Sequence, residues 1–385
     1  MTANDIFVIN GFYASMRSKY TASAASIYYY VVQWDAAALS WAEFRASVLG
    51  ATDPEKAQSG SMREQVCARW QELGLAAKPD VGDNGVHGSA SPFEGLSERL
   101  NWLGGTVDED ETALALMAAG VKKPTLLSWT KDPQVEVDGA SQSLFDTFED
   151  MDIGPMLKMA QKVGGDPFED TPKFSKHQAF VFIKPHAVTD GVKALVKSIL
   201  RARSMAIVGE GAISSAQISK GKLIDTHYYA IANKASLSKP VELNPPAEKL
   251  AEFTAKFGTT WSEALAQGLV YNAVDGCDVL GVDGEKMNEA WALAKARGDL
   301  LKFGGGFYVG KLGAGGASSG GAVVPSAGDI LAELPKSIYG GFDSLALSNG
   351  EPPATPPAVG RPPSAARCRC PARLSSRSTP PPASL

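Results

Sequence analysis

Cysteine and histidine are scarce in this chain, with four of each among 385 residues. The cysteines (Cys67, Cys277, Cys368 and Cys370) form no CxxC pair, which excludes a disulfide framework. Cys368-Arg-Cys370 has no neighbouring His or further Cys to complete a zinc site. No apolar run approaches the roughly 18 residues that a membrane helix needs, so no membrane partner is expected. Positive charge is not in excess either. Lys and Arg total 37 against 42 Asp and Glu, a net charge of −5, which gives no bulk electrostatic footprint for nucleic acid. The first twelve residues lack a basic n-region and an apolar h-region, so no signal peptide is expected and the predicted location is cytoplasmic. What the chain does have is apolar material, 44% of its residues, enough to bury a core. At roughly 150 residues per domain, the length suggests two or three domains.

Composition changes along the chain. After Leu312 the sequence turns to Gly, Ala and Ser, and ten of the 24 prolines lie between Pro352 and Pro382. Proline at that density removes backbone donors and blocks regular structure, so 313–385 is predicted to be a disordered, basic tail, with one short helix at 327–346. Residues 104–177 carry an acidic run, Asp108-Glu-Asp-Glu111, and scattered prolines, and read as a linker with short helices near 112–119 and 156–163.

Periodicity supplies the elements. Ala179–Ile183 is a continuous apolar run expected to be a buried central strand, and the aromatic and β-branched run 26–34 is a second strand. Residues 191–203 place Val192, Leu195, Val196, Ile199 and Leu200 at helical spacing. A strand over 205–213 and helical stretches over 39–49, 63–75, 93–103 and 220–233 follow. The segment 235–312 reads as a helical insert with helices at 246–257, 260–267 and 287–297. The glycine triplet 304–306 lacks a following GKS/T, which makes it a turn rather than a phosphate cradle.

Three constellations carry chemistry. The first is Asn84-Gly-Val-His87-Gly-Ser89-Ala-Ser91, followed by Glu98. A histidine in a Gly/Ser loop, with an acid placed to hold one ring nitrogen, leaves the other nitrogen to act as a nucleophile. The second is Leu49-Gly-Ala-Thr52-Asp-Pro54 with Gly60-Ser-Met-Arg63, a hydroxyl and a guanidinium suited to phosphate oxygens. The third is Lys184-Pro185-His186-Ala187-Val188, where a lysine closes a buried strand and can reach a phosphate. Read singly, Arg63 and Lys184 are more ordinarily solvated surface charges.

Together the three resemble the nucleoside diphosphate kinase family. The Asn84-x-x-His87-Gly-Ser89-x-Ser91 pattern, with Glu98 eleven residues after the histidine and Trp102 four further on, is similar to that family's histidine motif. His227-Tyr228 resembles its His-Tyr pair, and Gly11-Phe12-Tyr13 its aromatics at the nucleotide base. The likeness covers about 1–103 and 178–234, in reversed order: the histidine half, 1–103, precedes the lysine half, 178–234. A circular permutation, a window cut from a tandem array and a strand-swapped dimer all fit that order.

The resemblance implies an α/β fold, a ferredoxin-like four-stranded antiparallel sheet with helices on one face, assembled from the two halves. It implies a ping-pong phosphotransfer in which His87 takes the γ-phosphate of a nucleoside triphosphate and passes it to a diphosphate. By the same resemblance Glu98 orients His87, and Ser89, Lys184 and Tyr228 complete the catalytic set. Lys184, Thr52, Arg63, Asn84, Tyr13 and Arg45 contact the nucleotide, although Arg45 lies one residue from the family's position. His186-Ala187 stands where the family has Asp-Gly. Magnesium arrives bound to the nucleotide phosphates, and a homo-oligomer is implied. The alternative is a catalytically silent nucleotide-binding or scaffold protein that keeps the fold.

Overall fold

A computed structural model describes residues 5–164, 174–304 and 306–313, which all fall in one compact unit. The strands are β1 (Ile6–Ile9), β2 (Ser26–Asp35), β3 (Val86–Gly88), β4 (Gln134–Val137) and β5 (Ala140–Ser143). They continue with β6 (Lys176–Ile183), β7 (Ala206–Ser214), β8 (Val270–Asn272), β9 (Leu300–Gly304) and β10 (Phe307–Leu312). The class is mixed α/β, with two four-stranded sheets and a separate β4–β5 hairpin.

The first sheet has the order β3-β6-β2-β7, and every pair in it is antiparallel. Its inner strand β6 is apolar without interruption because both of its faces are covered. Phe180 and Phe182 enter one core with Tyr20, Trp102 and Tyr228, while Ala179, Val181 and Ile183 enter another with Trp41, Phe44 and Val192. Alternate residues of a strand point to opposite faces, so one run feeds two cores. Helices therefore pack on both faces of the sheet, not on one. The side with Phe182 carries Tyr13–Thr21 and Pro92–Leu103; the other carries Met62–Ala68 and Asp190–Ala202.

The second sheet, β8-β1-β10-β9, is built from the segment read as a helical insert together with the start of the chain. The helices Ala247–Phe257, Trp261–Ala266 and Gly284–Ala296 form close to the expected places, but three strands accompany them. β1 lies antiparallel to β10, with Ile6 opposite Leu312, and parallel to β8. Four residues of β1 also serve two cores. Phe7 and Ile9 meet Phe253 and Trp261, whereas Ile6 and Val8 meet the core containing Trp291.

The segment read as a linker is a folded pad. It contains the helices Glu111–Ala118, Lys123–Trp129, Leu144–Phe148 and Ile153–Gly164 and the β4–β5 hairpin. Leu116, Trp129, Phe148, Met156 and Leu157 form its core, closed by Phe93 and Leu96 from the helix Pro92–Leu103. Arg99 of that helix binds Asp110 through Nε at 2.7 Å and the carbonyl of Gln178 at 2.8 Å, joining the pad, helix and β6. The expected tail from 314 onward, including the short helix at 327–346, lies outside the described residues.

Candidate active site

His87 is held by its strand. β3 pairs with β6 so that His87 faces Phe182, and the imidazole stacks on the Phe182 ring with centroids 4.7 Å apart. Gly85, at φ +87°, turns the chain into β3; a side chain there would be strained and would meet Val66. The next helix starts cleanly: Ser91 caps it by accepting from the Glu94 N–H, Pro92 fills its first turn, and Gly104 ends it in the left-handed region. Glu98 lies within this helix, and its Oε1 meets His87 Nε2 at 2.5 Å. Ser89 donates to the other carboxylate oxygen at 2.6 Å and is itself clamped to β6, accepting from the Phe180 N–H at 2.9 Å.

Lys184 reaches this site from the other half of the chain. Its backbone N–H donates to the Gly85 carbonyl at 2.9 Å, and the backbone at Lys184 is still extended, at φ −67° and ψ 154°. Two residues beyond Phe182, its side chain leaves the same sheet face as His87. Diagonal neighbours of this kind have Cα atoms about 7–8 Å apart. Nζ lies 3.4 Å from the carbonyl of Gly82. The histidine and lysine halves therefore meet within a single chain.

Arg63 and Asn84 tie the phosphate-type loop to the same edge. Arg63 donates through Nε to the Val86 carbonyl, next to His87, and through Nη1 to the Gly50 carbonyl, both at 2.9 Å. Asn84 Nδ2 donates to the Thr52 carbonyl at 3.1 Å, while its buried Oδ1 has no hydrogen-bond partner among the described residues. A buried amide oxygen of this kind is an acceptor that a bound hydroxyl can satisfy. Tyr228 is buried, with its ring against that of His227, and is hydrogen-bonded to Tyr20.

Two expected nucleotide contacts are elsewhere. Tyr13 is fully buried, and its hydroxyl donates to Asp225 at 2.9 Å, so it offers no ring face to a base. Phe12 is likewise buried, edge-on to Trp291 and Tyr308. Arg45 lies in a turn of π-helix, Phe44–Leu49, and donates to Glu149 at 2.9 Å and Asp150 at 2.7 Å, two acids of the pad. The widened turn and these carboxylates direct it to the pad.

Two contributors, Asp225 and Asp83, escaped the sequence reading. Asp225 gathers Tyr13, Arg17 and Ser236. Asp83, the residue before Asn84, pairs with Lys19 at 2.8 Å and faces His186 at 3.7 Å. Burial alone would raise the Asp83 carboxyl, but His186, Lys19 and Lys184 together hold it below its usual range. Burial pushes His186 down to about 4, against the pull of Asp83. An acid thus arrives from the loop before β3 opposite the position where the family resemblance leads one to expect an Asp after the proline. His227 sits edge-on to His87, with centroids 4.9 Å apart, and burial holds it neutral with help from nearby His87 and Lys184. A cavity of about 550 Å³ between the pad and the core is lined by Glu98, Asn101, His227 and Tyr229.

The site can do two things chemically. It presents an imidazole whose Nε2 is engaged by a carboxylate, an arrangement in which any attack by the ring would fall to Nδ1. It also brings Lys184 and Arg63, from different parts of the chain, to the backbone just before His87, at Gly85 and Val86. Among the described residues, no helix is long and apolar enough to cross a membrane. No protein-family profile, curated protein or solved structure matches this chain.

Proposed function

We propose that the chain is a nucleoside diphosphate kinase whose domain is circularly permuted. The observation that carries this reading is the Glu98–His87 pair on a strand laddered to β6, with Lys184 bonded to Gly85 at the end of that ladder. The strand order β3-β6-β2-β7, all antiparallel, supports a ferredoxin-like sheet in which the histidine strand forms one edge beside the lysine strand.

In this reading Nδ1 of His87 attacks the γ-phosphorus of a magnesium-bound nucleoside triphosphate. The bond from that phosphorus to the β,γ-bridging oxygen breaks, and the diphosphate leaves with the electron pair. His87 keeps its proton on Nε2, whose N–H donates to Glu98, and the carboxylate stabilises the positive charge that develops on the ring. Ser89 fixes the second oxygen of Glu98, so the ring cannot rotate without breaking both contacts. Lys184 faces the phosphates, Arg63 reaches them only by exchanging its bonds to the Val86 and Gly50 carbonyls, and the open acceptor of Asn84 takes a ribose hydroxyl. A second diphosphate then reverses the sequence.

The burial of His87 and Lys184, 1% and 4% exposed, is the one observation that favours a silent scaffold. Phosphotransfer requires the edge of the sheet to open to a nucleotide. Incubation with γ-labelled nucleoside triphosphate separates the two readings: the kinase yields an acid-labile, base-stable adduct, and the scaffold yields nucleotide binding without label.

A further inference from the structure

Three metal-ligating side chains converge beside β3. His87 Nε2 is 2.5 Å from Glu98 Oε1, and Nδ1 of His227 is 3.4 Å from that same oxygen. One ligand atom from each of the three residues lies within 4.8 Å of the other two. The side chain of His227 is 2% exposed and that of Glu98 4%.

The protons around His227 say what belongs between them. Trp102 Nε1 donates to His227 Nδ1 at 3.4 Å, so Nδ1 is an acceptor. The neutral ring then carries its proton on Nε2, which has no hydrogen-bond partner among the described residues. Nδ1 thus carries a lone pair, held only by the long Trp102 hydrogen bond, at 3.4 Å from a carboxylate oxygen, and a cation between the two takes over that lone pair from Trp102. In a tetrahedral site with N and O ligands at about 2.0–2.2 Å, ligand atoms lie about 3.4 Å apart. The His227–Glu98 spacing already matches. His87 Nε2 must move outward by roughly 1 Å, which an edge strand of three residues permits more readily than a central one.

We propose that His87, Glu98 and His227 bind a divalent transition-metal cation of the zinc class, with water as the fourth ligand. Two imidazoles and one carboxylate are a donor set suited to that class rather than to magnesium or calcium, which take oxygen. Access is provided by the cavity lined by Glu98 and His227, whose wall also carries Glu94 and Asp132 alongside Lys131 and the Lys123–Asp108 ion pair. Ser89, donating to the other oxygen of Glu98, supplies the outer support that ligating carboxylates require.

The consequence for activity rests on the kinase reading. A metal on Nε2 displaces the proton from that atom, and the neutral ring then carries its proton on Nδ1. Nδ1 therefore has no lone pair to offer phosphorus, and the cation switches phosphotransfer off.

The test uses the full chain without nucleotide. Titration with Co2+ should give the visible absorption of a low-coordinate N/O site, saturating at one equivalent and displaced by Zn2+. His227→Gln, with its fold checked by circular dichroism, should weaken binding by at least about tenfold. X-ray absorption of the zinc-loaded protein should show nitrogen and oxygen ligands only. The chain has only four histidines, so imidazole NMR signals can be assigned, and those of His87 and His227 should both shift with Zn2+. That readout needs no variant. Absence of saturable binding, sulfur ligands from the cysteines, unchanged binding in folded His227→Gln, or no shift at either histidine overturns the site. Zinc bound as described to a protein that shows no metal-free phosphotransfer contradicts the kinase reading and leaves the metal site standing.

Discussion

Glu98 acts through geometry: it holds Nε2 of His87, and Ser89 holds Glu98. Replacing Glu98 by Gln keeps the shape but removes the charge opposite the developing imidazolium. Phosphohistidine formation should slow by about 10²-fold or more, with little change in thermal midpoint, as read by rapid-quench labelling and calorimetry. A second prediction concerns His186, whose folded value of about 4 lies below the ordinary 6.5. Between these values the unfolded chain takes up a proton that the folded chain refuses. Its contribution is therefore complete above pH 6.5 and is lost as pH falls toward 4, a swing of about 3 kcal/mol at most. Urea midpoints across that window should fall with acid in the wild type and fall less in His186→Gln. The contact between His87 and Glu98 was legible because it is local: the histidine, its loop and the acid that meets it lie within one loop, strand and helix. Tyr13 and Arg45 were misread because their roles are set by partners far along the chain, Asp225 and the acids at 149 and 150.

Among the elements, β6 does the most to position the site, since it pairs with both β3 and β2 and sends alternate side chains into two cores. Phe182 faces His87 across the ladder and is fully buried. Phe182→Ala should cost about 3–5 kcal/mol in chemical denaturation, and it should also slow labelling, because the His87 ring loses the surface on which it stacks. The helix Pro92–Leu103 depends on the pad in the same way. Arg99 and Asp110 form an ion pair with both side chains largely buried, and Asp110 also caps the helix Glu111–Ala118. Asp110→Ala leaves Arg99 unpaired, and a loss of about 3–5 kcal/mol is expected. The strands β6, β2 and β7 and most helices were readable from periodicity, which is strong in long amphipathic runs such as Asp190–Ala202. Four-residue β1 was not, since it is too short to show a period and is apolar on both faces. The pad was taken for a linker because its prolines and acids sit at helix starts and turns, where Pro124 and Asp110 initiate helices rather than prevent them.

Across the whole molecule, the two halves are joined by backbone ladders rather than by loose contact. β2 and β6 pair continuously from Tyr28 opposite Ile183 to Asp35 opposite Lys176. A protease site inserted within 165–173 and cut should leave the two parts eluting as one species, parting only in denaturant; separation under native conditions contradicts closure within one chain. The reversed order of the motifs was visible in the sequence, but its resolution was not, because periodicity does not say which strands pair. The second sheet makes the same point: Ile6 lies opposite Leu312 although nearly the whole described chain separates them. The central claim, that His87 is a phosphate carrier served by both halves, is tested most directly by labelling the full chain with γ-labelled nucleoside triphosphate. The account predicts an acid-labile, base-stable adduct in the wild type, sharply reduced in Lys184→Ala and absent in His87→Asn. Label that persists in His87→Asn, or a wild type that binds nucleotide and never acquires label, contradicts it.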